Sequence, residues 1–338
     1  MILHLIPTDV DGCLYHRVEV PMHNLKGFEL AQSTVLDGVN DEDLQKCSLV
    51  VMSRDSAMYD VPAQIRRLKK FNIPYVVDID DYWKLNKEHL AYDDFKKETR
   101  QRWEMLMKSA DAVTTTTGRL AKKIENHNKN VIVVPNALDK KQPQWNLIER
   151  EIDIPVFGWV GGTHHIPDIE MLKNTFLELH KDDKVWLALG GWTAENQVYH
   201  IFEHWMTNGG QYQKYKRIKG ESVYNYGHLY DFMDVCIVPL LESAFTSCKS
   251  SLKIIEAGYK GKPCIASRVA PFIDDFTDKE VLFVDTRYDW YKAINTLHDN
   301  PEMLFNYKSS LMERVKDFEI NKVNHIREQL YTTLINGK

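Results

Sequence analysis

The chain has 338 residues, 43% of them hydrophobic and 27% charged, with a formal net charge of −5. That length suits two domains or one large one, and the composition is that of a globular protein rather than a disordered or fibrous one. The charge argues against a generally basic nucleic-acid binder. No apolar run approaches the ~18–20 residues of a membrane span, and the opening MILHLIPTDVDG is too short and too soon acidic for a signal peptide, so a soluble cytoplasmic protein is expected. The five cysteines, Cys13, Cys47, Cys236, Cys248 and Cys264, form no Cys-x-x-Cys pair, which suits reduced thiols better than a disulfide or zinc framework.

Short apolar runs alternate with helix-length amphipathic segments, the pattern of parallel α/β architecture. In the first half, strands are expected at Ile2–Ile6, Ser48–Met52, Tyr75–Ile79, Ala112–Thr116 and Val131–Val134. Helices fall around Pro62–Phe71, Asp93–Ala110 and Gly118–His127. The apolar alternation lapses after Pro135-Asn136, and a linker is expected over residues 141–153. A second series follows, with strands at Val156–Val160, Val185–Leu189, Val235–Val238, Pro263–Ala266 and Val281–Val284. Its helices lie near Pro167–His180, Ala194–Met206, Ser247–Lys260 and Trp290–His298. Two doubly wound, Rossmann-like domains, 1–140 and 154–300, are thus expected to face each other across a cleft at their strand C-termini. A helical tail covers 301–338.

Four stretches carry candidate chemistry. A helix over Ser247–Lys260 would set Lys249, Lys253 and Glu256 at i, i+4 and i+7 on one face, two lysines in the turns where the helix dipole disfavours cations. An anion would repair that cost, so the lysines with the hydroxyls of Ser247, Ser250 and Ser251 suggest a phosphate or diphosphate cradle. Glu256 is then placed to accept from ribose hydroxyls. The glycine-rich turn Gly158-Trp159-Val160-Gly161-Gly162-Thr163-His164-His165 permits close backbone approach to a phosphate or sugar, with His164 as a donor, yet matches neither the dinucleotide fingerprint nor a P-loop. Asp80, Asp81, Tyr82 and Trp83 end a strong strand where acceptor binding or acid/base work is reasonable; a carboxylate pair holding a metal is an alternative. Gly12, Tyr15 and Arg17 follow the first strand and are expected to reach the same edge. Lys96, Lys97 and Arg100 mix with aromatics as in a nucleic-acid surface, but interleaved acids read more simply as a salt-bridged helix.

Together these residues resemble the two-domain GT-B glycosyltransferases, specifically the retaining family 4 and its relatives. The longest match is Phe245-x-x-Cys248-Lys249-Ser250-x-Leu252-Lys253-x-x-Glu256-Ala257-x-x-x-Gly261-x-Pro263. Shorter matches are Gly158–Gly162, Val134-Pro135-Asn136 and Val76–Asp81. The resemblance implies a nucleotide-sugar donor, a UDP-sugar first of all, with no other cofactor and no metal. Lys249, Ser250 and Lys253 would neutralise the diphosphate, Glu256 would bind ribose, and the Gly161-Gly162 loop would lie near the diphosphate. Where many members have a histidine this chain has Asp80, and where they have a glutamate eight positions before the ribose ligand it has Cys248, with Glu242 the nearest acid upstream. The acceptor is expected to be a glycan or glycolipid, or a hydroxylated DNA base of the phage type. A nucleotide-sugar epimerase and a non-catalytic nucleotide-sugar-binding protein are the alternatives.

Overall fold

A computed structural model describes residues 1–6, 9–85, 92, 97–149 and 151–337. The chain divides into two compact units. Unit 1 is Met1–Asp139 with Ser247–Ser250 and Phe318–Lys338, and unit 2 is Lys140–Thr246 with Ser251–Asp317.

Unit 1 is built on a six-stranded sheet of β1 (Ile2–Leu5), β2 (Leu30–Ser33), β3 (Leu49–Ser53), β4 (Tyr75–Ile79), β5 (Ala112–Thr115) and β6 (Val131–Val133), in the order β2-β1-β3-β4-β5-β6. Every pairing is parallel. Such strands are covered on both faces, which is why they read as unbroken apolar runs. One face buries Leu3, Val50, Met52, Val77 and Val113 under the helices Val61–Lys70 and Lys97–Ser109. The other buries Ile2, Leu49, Val51, Val76 and Ala112 around Tyr331 of the helix Ile320–Asn336. The tail is therefore not one helix. Pro301–Arg314 belongs to unit 2, a short 3₁₀ turn follows at Val315–Phe318, and the last helix closes a face of unit 1.

Unit 2 repeats the theme with β7 (Val156–Val160), β8 (Trp186–Trp192), β9 (Tyr215–Lys219), β10 (Val235–Val238), β11 (Cys264–Ser267) and β12 (Val281–Val284), ordered β12-β11-β10-β7-β8-β9. Phe157, Trp159, Phe176, Phe202 and Trp290 fill its core. Counted within the unit, this is the 3-2-1-4-5-6 order of dinucleotide-binding domains, whereas unit 1 has the 2-1-3-4-5 order extended by one strand. In both, ligands bind beyond the strand C-termini where the winding reverses. That point is β7/β10 in unit 2 and β1/β3 in unit 1.

Two strands escape the sequence pattern, β2 and β9, and both lie at sheet edges. Their residues are mostly half-exposed, only Ile218 of Tyr215–Lys219 being buried, so no apolar run marks them. The expected helix Pro167–His180 is two helices, Ile166–Glu170 and Lys173–Asp182. The helix expected from Asp93 is described from Lys97; residues 93–96, Lys96 among them, lie outside the described residues.

On β1, His4 is 2% exposed and packs edge-on against Tyr331. Burial first, then Arg327 and His23, push its pKa down to about 3. The unfolded chain therefore binds a proton that the folded one refuses. Stability from this group is complete above the unfolded value near ~6.5 and declines as pH falls toward 3, by up to ~1.4 kcal/mol per pH unit. Melting at pH 7 and pH 5 should show a drop that His4→Gln reduces.

Candidate functional site

In unit 2 the site is built where β7 ends. The turn after Val160 must pass Trp159 and the side chain of Lys253, and it passes so closely that a Cβ on Gly161 would collide with Lys253 Nζ and the Trp159 ring. Lys253 Nζ donates to Val160 O at 2.9 Å and sits 5.2 Å from the Trp159 ring centroid. Behind the turn, Tyr199 Oη donates to Gly161 O at 2.9 Å, and Gly191, at φ +93°, tucks its backbone against that same carbonyl. A side chain at Gly191 would be strained by its left-handed backbone. Gly162 differs: it is exposed and a Cβ there meets nothing within 4 Å. Gly161→Ala should therefore displace the lysine and cost about 1–3 kcal/mol of stability, as overpacking does, whereas Gly162→Ala should leave stability within ~0.5 kcal/mol. Melting of the two variants separates these outcomes.

The helix carrying Lys253 starts at Leu252, not near Ser247, and runs to Tyr259. A separate 3₁₀ turn covers Thr246–Cys248, so Lys249 and Lys253 do not stack at i, i+4. Instead, Ser251 is fully buried and its hydroxyl donates to Pro271 O at 2.7 Å and lies 2.6 Å from an Asp275 carboxylate oxygen. The helix is also not a solvated surface element. Ile254, Ile255, Ala257 and Gly258 are buried along with Glu256, which is 3% exposed. Tyr230 Oη donates to Glu256 Oε2 at 2.8 Å, and burial together with the neighbouring Glu256 charge pushes the Tyr230 pKa well up. A buried carboxylate with one oxygen fixed by a tyrosine is held in a single orientation. Of the remaining unit 2 candidates, His164 and Glu242 are exposed. His165 is tied in, with Nδ1 2.7 Å from Asp168, whose other oxygen accepts from Leu241 N at 2.7 Å.

In unit 1 the acids after β4 gather cations. Arg54 Nη1 lies 3.1 Å from Asp80 and 3.4 Å from Asp81, and Lys249 Nζ lies 3.7 Å from Asp81. Burial raises the Asp80 pKa, with Arg54 opposing and the Asp81 charge adding to the rise. Burial also acts on Asp81, but Lys249 and Arg54 outweigh it and hold its pKa below the ordinary carboxylate value. Two adjacent carboxylates are thereby pushed apart, the arrangement that separates acid from base roles. Cys13 Sγ and oxygens of Asp80 and Asp81 lie within 4.8 Å of one another, a possible ligand set by distance. The guanidinium and ammonium already seated on both carboxylates make it a poor fit for a divalent cation, which would have to displace them.

The segment after β1 is helical: Asp11 Oδ1 caps Leu14 N at 2.8 Å, and turns continue through Tyr15–Glu19 and Val20–His23. This rotates its residues inward. Gly12 stays exposed with open space around it, while Tyr15 is 2% and Arg17 4% exposed. Arg17 pairs bidentately with Asp78, Nε to Oδ1 at 2.9 Å and Nη2 to Oδ2 at 2.8 Å, and its Nη1 donates to Val134 O and Asn136 Oδ1. Asn136 Nδ2 in turn donates to Ser250 Oγ at 2.8 Å. Trp83 is likewise a core residue, 1% exposed, its Nε1 donating to Glu104 at 3.2 Å. Tyr15, Arg17 and Trp83, expected on the acceptor side, are thus buried inside unit 1. Arg54 and Tyr230 escaped the sequence reading. Arg54 follows β3 directly, so the strand-end rule that marked Asp80 would have marked it; Tyr230 carries no local signal.

Two Rossmann-like units in one chain, each with a six-stranded parallel sheet, define the GT-B fold class. Solved structures similar to the chain include sucrose-phosphate synthase from Thermosynechococcus elongatus, with a TM-score of 0.73 and 17% identity over 100% of this chain and 99% of that one. A glycosyltransferase from Rickettsia africae matches with a TM-score of 0.72 at 12% identity, covering 100% and 99%. Anabaena HepE in complex with UDP matches with a TM-score of 0.72 at 12% identity, covering 98% and 99%, and HepE has also been solved with UDP-glucose. No protein-family model and no curated protein matches the sequence. Among the described residues no helix is long and apolar enough to cross a membrane.

Proposed function

We propose that the chain is a glycosyltransferase that moves a sugar from a nucleotide-sugar, a UDP-sugar by preference, to an acceptor hydroxyl. The observation that carries this reading is the Lys253 ammonium held against the Gly161 turn at the β7/β10 switch point, three residues before the fixed carboxylate of Glu256. In this reading Lys253 meets the diphosphate and the Gly161 backbone approaches it, while Glu256 accepts from the ribose hydroxyls. The fold shared with HepE, which binds UDP and UDP-glucose, supports it.

Departure of the diphosphate builds negative charge, and a cation fixed beforehand stabilises that charge more in the transition state than in the bound donor. Lys253 fills that role in place of a metal. Retention of configuration follows if the acceptor attacks from the donor's front face and the leaving diphosphate takes the hydroxyl proton. In unit 1, Lys249 keeps Asp81 ionised, and Asp80, with its raised pKa, is assigned to hydrogen-bonding an acceptor hydroxyl without taking its proton. The test is a panel of UDP-sugars incubated with glycan and hydroxymethylated-DNA acceptors, reading UDP release and product. UDP release that requires an acceptor supports the reading. Interconversion of the donor alone would mark an epimerase, and donor binding without turnover against any acceptor a binding protein.

A further inference from the structure

Beside the acid pair of unit 1 lies an open groove of about 580 Å³. Its apolar side is unusually exposed for such residues, Met58 at 65%, Tyr59 at 40% and Met105 at 41%. Its polar side is Glu98, Gln101 and Arg102 from the first turns of the helix Lys97–Ser109. The groove is joined to the acid pair by a single element. The 3₁₀ segment Arg54–Met58, directly after β3, gives Arg54 to Asp80 at one end and Met58 to the groove at the other, ~8 Å further along.

We infer that this groove is an acceptor subsite for a neutral oligosaccharide; the inference rests on the glycosyltransferase reading above. A sugar ring presents C–H faces and a rim of hydroxyls, and the groove answers both. Tyr59 and the two adaptable methionines offer an apolar platform. A carboxylate, an amide and a guanidinium beside them can accept from and donate to vicinal hydroxyls. The volume falls in the range of small-molecule sites. The charge of the lining decides between acceptors. Asp60 and Glu98 against Arg102 leave the described lining at −1, which disfavours a polyphosphate backbone, since DNA binding draws its affinity from neutralising phosphates with lysine and arginine.

The full chain, saturated with UDP, is applied to an array of neutral oligosaccharides and separately to a hydroxymethylcytosine-containing duplex. At least one oligosaccharide should be retained, with affinity lowered tenfold or more by Tyr59→Ala and by Gln101→Ala, while UDP affinity and melting temperature stay unchanged. The subsite is overturned if the wild type retains no oligosaccharide, if both variants retain it unchanged, or if the duplex is the ligand whose binding the variants weaken. Failure of the wild type to bind UDP with oligosaccharide binding intact would instead overturn the glycosyltransferase reading and leave the groove as a glycan site.

Discussion

Replacing Lys253 with alanine is expected to lower turnover of a UDP-sugar by about 10²–10³, the loss seen when one preorganised group that stabilises developing negative charge is removed. The structure makes the lysine preorganised. Its ammonium is fixed by Val160 O at 2.9 Å and lies over Trp159, a fully buried ring, so the side chain is already ordered before a donor arrives. Because Lys253 is only half-buried and donates to a backbone oxygen, the fold should survive its removal, with a melting temperature close to wild type. Lys253→Arg should not restore turnover, because a planar guanidinium does not reproduce a compact ammonium where Gly161 already leaves no room for a Cβ. A variant with near-normal turnover would remove Lys253 from the mechanism.

The second large effect concerns stability and lies in unit 1. Asp78→Ala should cost about 3–5 kcal/mol, the range for breaking a buried ion pair by removing one partner. It would leave Arg17 without its carboxylate next to Arg327, which is also buried and whose pKa burial first and Arg17 second already push down to about 10. Thr114 Oγ1, which donates to Asp78 at 2.6 Å, would lose its acceptor as well. Arg17→Met should cost less, because it relieves Arg327 and leaves Asp78 hydrogen-bonded to Thr114. Thermal or urea unfolding of both variants gives the order, and a more stable Asp78→Ala than Arg17→Met would contradict this account of the hub.

The same hub shows what the sequence disclosed and what it hid. Strands whose sequence is a continuous apolar run were legible, and ten of them are found within a few residues of the expected places, the edge strands Val131–Val133 and Val281–Val284 included. The other edge strands, Leu30–Ser33 and Tyr215–Lys219, were not legible, since their mostly half-exposed residues form no such run. Charged residues after strands drew attention by position alone. That rule pointed at Asp80 and Asp81, which lie beyond β4 among cations, and at Arg17, which is buried against Asp78, a partner 61 positions away inside a strand. Spacing also joined Lys249 to Lys253 in one helix. Ser251, buried and bonded to Pro271 and Asp275, fixes where the helix begins and separates them. Val134-Pro135-Asn136, a short motif with no evident role in sequence, proves to supply two acceptors to Arg17.

The most direct test of the donor assignment is a crystal structure of the chain grown with UDP. The expected result is a diphosphate within hydrogen-bond distance of Lys253 Nζ and the Gly161 turn, with the ribose hydroxyls on Glu256. UDP bound away from these residues, or absent at saturating concentration, would contradict it.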